Sequence, residues 1–286
     1  MTIRNPAEWG TEQFREVAHV VGAAGHYFGR TDETLDARRP IVRNITIADL
    51  GPILRAGLSD FAASRSDVIF ISLIYPLAGL VLSQIVLGTA FLPLLFPLAS
   101  GFALIGPFAA TGVYEMSRRR ERGEEVSWAD AAHVFASPSF GAIFRLGLML
   151  TVVFALWMLA AWLIYRHTVG PELPVSLSAF AADVFGTGQG WTMILVGTGV
   201  GFLFALFVLA VSVVSFPLLL DRKVRLGTAV RTSMEAVWRN PVAMLAWGFI
   251  VAAGLVLGSI PLFVGLIVVM PVLGHATWHL YRRVIA

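Results

Sequence analysis

The chain has 286 residues, 57% of them hydrophobic and 14% charged, with a mean hydropathy of +0.77. Soluble domains carry roughly 25% charged residues, so a soluble globular protein is excluded in favour of a membrane protein. The net charge of +3 and the isoelectric point near 9.7 do not point to nucleic acid, because the basic residues lie beside apolar runs, where membrane orientation and anionic lipid explain them. Cysteine is absent, which removes disulfides, thiolate metal sites and cysteine nucleophiles.

Residues 1–44 read as a polar tail. Asn5, Pro6 and Glu8 suit the start of a short helix, with Trp9, Phe14, Val17 and Val21 on its apolar face, and 29–44 as a linker. No signal peptide is read in this stretch. Residues 45–286 form the membrane domain. Asp, Glu, Lys and Arg are all missing from 68–114, 146–165, 184–220 and 241–281. A spanning helix needs about 20 mostly apolar residues, so these runs predict six spans: 68–88, 92–114, 146–165, 190–217, 242–259 and 261–281. The expected fold is all-α, a polytopic bundle of three hairpins with interfacial amphipathic helices.

Basic residues set the orientation. Eight lie before Asp67, five in 115–145, five in 221–240 and two after Tyr281, against Arg166 alone in the loops of the other side. Both termini are therefore expected on the cytoplasmic face.

A repeat is suggested over 45–125, 126–223 and 224–286. The stretches starting at Ile45, Val126 and Val224 each lead into a span. Thr46 with Asp49, and Ser127 with Asp130, have the spacing of a capped helix start. Pro107 precedes Arg118-Arg119 as Pro271 precedes Arg282-Arg283. In 225–239, Leu226, Val230, Met234 and Val237 share one helical face, with Arg225, Arg231, Glu235 and Arg239 mainly off it. Such a helix lies in the interface plane.

Candidate chemistry is sparse. His275 and His279 are one turn apart and share a helix face, so together they can hold a metal ion or haem. The repeat matches them to Thr111 and Glu115, which makes Glu115 the natural third ligand. The plainer reading is structural: Trp278 and Tyr281 beside Arg282 have the composition of an interfacial aromatic belt, where histidines bond to neighbouring helices. A proton relay or a substrate contact is the remaining role. Asp221-Arg222 reads as a packing pair. The glycine runs 186–190 and 197–201 follow no strand and are not nucleotide loops; Gly197/Gly201 and Gly254/Gly258 have the spacing of close helix contacts. Pro93, Pro97, Pro107 and Pro271 mark kinks or span ends. No catalytic constellation is found, so an enzyme is not expected, nor is a cofactor.

The segments Phe216-Pro217-Leu218-Leu219-Leu220-Asp221-Arg222, Ala229-Val230-Arg231-Thr232-Ser233, Asn240-Pro241 and Pro271 to Arg283 resemble a bacterial family of predicted integral membrane proteins of unknown function, frequent in alphaproteobacteria. The resemblance covers about residues 40–284 and implies an inner-membrane location with no established activity. Some members of that family carry a label similar to cytochrome c oxidase subunit I. That subunit resembles a twelve-helix bundle with six metal-binding histidines, whereas here only His275 and His279 fall within expected spans. A weaker likeness is to the membrane domain attached to some glycerophosphodiester phosphodiesterases. The leading expectation is an accessory, assembly or scaffold protein in contact with the lipid bilayer and with a membrane protein complex. The alternatives are a small-molecule or lipid carrier with a cavity lined by Gln84, Thr111, Glu115 or His275, and metal or haem binding at His275 and His279.

Overall fold

A computed structural model describes residues 40–63, 73, 76–77, 79–81, 92–124, 126–170 and 172–286. The expected tail helix near Asn5 and most of the expected span 68–88, Gln84 included, lie outside the described residues. Those described fold into helices: α1 (Ile47–Ala63), α2 (Leu95–Ala109), α3 (Thr111–Glu121), α4 (Phe140–Thr168), α5 (Leu177–Gly186), α6 (Gly188–Ser212), α7 (Ser215–Asp221), α8 (Leu226–Arg239), α9 (Pro241–Ser259) and α10 (Leu266–Val284), with short 3-10 helices at Leu92–Leu94 and Trp128–Ala136.

Four helices among the described residues are long and apolar enough to cross a membrane: Phe96–Glu121, Phe140–Thr168, Gly188–Asp221 and Pro241–Ser259. They coincide with four of the six expected spans. α10 does not meet the same criterion, because its second half carries His275, His279, Arg282 and Arg283. Many large apolar side chains on the four point outward, among them Leu148, Val152, Leu156 and Leu159 on α4, Leu195, Phe202 and Leu203 on α6, and Phe249, Val256 and Leu257 on α9. An apolar surface this extensive needs lipid or protein against it.

Local chemistry explains the boundaries. Thr46 and Ser127 donate their backbone N–H groups to the side chains of Asp49 and Asp130, at 2.8 and 2.7 Å, which are the capped starts expected from the spacing. Thr187 Oγ1 caps α6 by accepting from Gly190 N at 2.9 Å, so the 186–190 glycine run is a helix start. α6 and α7 form one apolar rod interrupted at Val213–Val214. Pro217 has no N–H to give the Val213 carbonyl four residues back, and at the same break the Val214 N–H donates to Ser233 Oγ of α8 at 3.2 Å. Pro241 sits in the first turn of α9, where a missing N–H costs nothing.

On α8 the fully buried face is Ala229, Thr232, Ser233 and Ala236, while on the expected apolar face Leu226, Val230 and Val237 are half-buried and Met234 is exposed. Small side chains let helices approach closely, so they face the protein and the larger ones are displaced from the contact. Trp278 and Tyr281 are not belt residues: both are fully buried, their rings 5.4 Å apart. Of the glycine pairs, Gly254 and Gly258 do face α10. Gly201 instead makes room for the Trp157 ring, and a Cβ at Gly197 would meet nothing within 4 Å among the described residues.

The segments rich in basic residues converge. Residues 41–43 pair antiparallel with 284–286, through Arg43 N to Val284 O at 2.7 Å and Ala286 N to Ile41 O at 3.0 Å. Asn240, at the α8–α9 junction, accepts from Ile45 N at 2.7 Å and donates to Arg43 O at 3.1 Å. Arg118 Nη1 donates to Leu220 O at 2.7 Å. α1, α3, α7, the start of α9 and the end of α10 thus form one polar layer. Arg166, alone in its loop, instead lies over the Trp162 ring near the far end of α4.

Candidate functional site

The site is this polar layer, and α3 is its hub. From Glu115 to Glu121 the helix reads Glu-Met-Ser-Arg-Arg-Arg-Glu, and most of the polar members reach different parts of the chain. Glu115 is buried, with one carboxylate oxygen accepting from Arg118 Nη2 and Arg119 Nε, both at 2.9 Å, and the other 2.7 Å from Arg118 Nη2. Arg119 continues to Asp130 at 2.8 Å and so holds the Trp128–Ala136 segment. Glu121 accepts from Trp278 Nε1 at 3.1 Å and from Arg282. Arg282 also faces Asp221, which accepts from the Tyr281 hydroxyl at 2.7 Å. A carboxylate inside protein is tolerable only when it is paired and hydrogen-bonded, and each of these acids meets that condition.

A second cluster joins α1, α3 and α10. Asp60 Oδ2 accepts from Ser117 Oγ at 3.0 Å and from His279 Nε2 at 2.9 Å, while Asp60 Oδ1 pairs with Arg120 Nε at 3.0 Å. Ser117 Oγ is also 2.7 Å from His275 Nδ1. With the serine proton directed to Asp60, Nδ1–H of His275 is the donor to Ser117, a tautomer assigned from the network. His275 is 1% exposed, and its Nε2 is buried with no hydrogen-bond partner among the described residues. Burial pushes the Asp60 carboxyl up. The hydrogen bond from His279, the charge of either imidazole when protonated and the Ser117 hydroxyl outweigh it and leave the group below its usual 3.8. Asp49, outside this cluster, is held at about 2 by the Thr46 backbone N–H and by Arg283.

The residues expected to act together are divided by the fold. His275 and His279 do share a face and meet one carboxylate, but it belongs to Asp60. Glu115 turns to Arg118 and Arg119. Thr111 is buried and donates to Phe108 O at 2.7 Å. Among the described residues no group of three His, Cys, Asp or Glu side chains is arranged to hold a metal ion. Asp60, Ser117 and Arg120 were not singled out in the sequence, and Arg118-Arg119 only as an echo of Arg282-Arg283. Asp60 lies three residues past Gly57, and an added Cβ at Gly57 would sit 2.6 Å from Ala276 N. A buried acid beside a glycine contact on an amphipathic helix is the signal that could have found it.

A cavity of about 420 Å³ opens elsewhere, lined by Tyr165, Glu172, Pro174, Asp183 and Gln189 among others. Thr111, Glu115 and His275 are not among its walls.

Residues 95–221 match the model of a family described as "Predicted integral membrane protein (DUF2189)". That segment holds three of the four spans and all of α3, and stops at Asp221. No curated protein matches the chain, and no solved structure does.

Proposed function

We propose that the chain is a multi-pass protein of a bacterial inner membrane, with six spans in three hairpins and its polar layer on the cytoplasmic side. In this reading it is an accessory, assembly or scaffold protein without turnover of its own. The observation that carries it is the internal use of charge. Asp221, Glu121 and Asp60 are each held by an arginine from a distant segment of the same chain, while Glu115 is held within α3 and Asp130 by Arg119 of α3, eleven residues before it. Such a layer fixes the relative positions of helices. The large outward-facing apolar side chains of α4, α6 and α9 then meet lipid or other spanning helices. The orientation rests on twenty basic residues against one, and the mutual contacts of 40–63, 115–145, 221–240 and 282–286 favour placing them on one side.

The carrier reading has the Tyr165–Gln189 cavity in its favour, but that cavity lies against the loop at the opposite end from the polar layer. The test is purification from native membranes in mild detergent, followed by identification of copurifying proteins. A stoichiometric membrane complex is expected. Recovery alone, from membranes whose known complexes survive the extraction, overturns the accessory role in favour of the carrier.

A further inference from the structure

The histidine cluster holds more than a packing contact requires. Its hydrogen bonds run in one line from the edge of the polar layer inward. His279 is 28% exposed in its side chain, Asp60 10% and His275 2%. The line passes His279 Nε2, Asp60 Oδ2, Ser117 Oγ and His275 Nδ1 with separations of 2.9, 3.0 and 2.7 Å. Each member is an imidazole, a carboxylate or a hydroxyl, groups that both take and give protons. At the inner end stands a basic nitrogen, His275 Nε2, that no protein group occupies among the described residues. A purely structural clasp has no use for that open end, because a buried polar atom without a partner is destabilising.

We infer that Ser117 and Asp60 connect His275 Nε2 to the polar face of the protein as a proton path, with His279 at its outer end. A hydronium ion gives a proton to His275 Nε2 and leaves as water. The Nδ1–H proton moves to Ser117 Oγ and the Ser117 proton moves to Asp60 Oδ2, so Ser117 keeps one proton, His275 becomes its Nε2–H tautomer and Asp60 a neutral acid. Water at the polar face then takes the proton from Asp60, and rotation of the His275 ring restores its starting tautomer. The charged groups facing His275 are Asp60, His279 and Arg120; Arg120, tied to Asp60 Oδ1, keeps that carboxylate ionised as the acceptor. Buried relays of His and carboxylate groups are what proton-handling membrane proteins use. The inference is independent of the scaffold role, since a subunit of a larger complex can carry a proton without turning over a substrate.

The test uses the full chain in nanodiscs with ¹⁵N-labelled histidine, and reads the exchange rate of the His275 ring proton with water by NMR. Ser117→Ala is expected to slow that exchange about tenfold or more, since it deletes one hydrogen-bonded link. Ser117→Thr, which keeps the hydroxyl, is expected to restore it. Asp60→Asn, which removes the acceptor, is expected to match Ser117→Ala. Near-ultraviolet circular dichroism of the buried Trp278 and Trp247 reports whether each variant is folded. Unchanged exchange in folded Ser117→Ala overturns the path, as does slowed exchange that Ser117→Thr fails to restore.

Discussion

Asp60 and His279, 219 residues apart in the chain, meet at 2.9 Å and join the first described helix to the last. The same carboxylate holds Arg120 and Ser117 of α3, so one acid ties three helices. Asp60→Asn keeps the shape and removes the charge. It is expected to lower stability by about 1.5–3 kcal/mol, the range for hydrogen bonds to a charged group. Thermal unfolding in detergent measures the loss, and a variant as stable as the parent contradicts the tie.

α1 and α10 touch closely at Gly57, where an added Cβ would stand 2.6 Å from both the N and the Cβ of Ala276. Backbone cannot yield as a flexible side chain does. Gly57→Ala is expected to part the helices and to cost about 1–3 kcal/mol, as overpacking does, despite the better helix propensity of alanine. Gly51→Ala on the same helix meets nothing within 4 Å among the described residues and serves as the control, expected to be neutral or stabilising. Equal unfolding midpoints for the two variants would exclude the close contact.

Tyr281 donates to Asp221 at 2.7 Å from a fully buried ring. Asp221 retains Arg282 when that hydroxyl is lost. Tyr281→Phe should therefore cost about 1.5 kcal/mol, the low end for a hydrogen bond to a charged group, whereas Tyr281→Ala should cost about 3–5 kcal/mol through loss of the packed ring. The ratio of the two, from denaturant or thermal unfolding, separates the polar contact from the packing.

Acid should weaken the α1–α10 seam. The folded-state carboxyl of Asp60 titrates below its usual 3.8, and that of Asp49 at about 2. A lowered folded value means that the contribution is fully present above the unfolded value and is lost as pH falls through the folded one. The stability gap between the parent and Asp60→Asn is thus expected to be constant near neutrality and to shrink below pH 3.8. A gap that grows with acidification would reverse the sign. Asp49→Asn should behave alike, with its gap closing towards pH 2.

The spans and caps could be read in the sequence because both depend on neighbours in the chain. Charge-free runs predict where α4, α6 and α9 lie, and Thr46-Asp49 and Ser127-Asp130 predict their own backbone bonds. The site was legible only in part. The spacing of His275 and His279 puts them on one face, but which acid they meet depends on the register of three helices. Glu115 was drawn away by Arg118 and Arg119, three and four residues on, which are within reach on the same helix. Trp278 and Tyr281 have the composition of a membrane belt, yet Glu121 and Asp221 supply partners for their polar tips and let both rings be buried. On α8, hydrophobicity marks the face of Leu226, Val230, Met234 and Val237. The face packed on the protein is the small one, Ala229, Thr232, Ser233 and Ala236, which a pattern of large apolar residues does not reveal.

In the proposed topology 40–63, 115–145, 221–240 and the end of α10 form one layer on one side of the membrane. The chain has no cysteine, so single cysteines can be placed without background at the exposed positions Ala62, Arg122, Lys223 and Ser178. Labelling with a membrane-impermeant maleimide, in cells and in inverted membrane vesicles, reads the side of each. Ala62→Cys, Arg122→Cys and Lys223→Cys are expected to react only from the cytoplasmic side and Ser178→Cys only from the opposite one. Reaction of the first three from different sides would contradict the account.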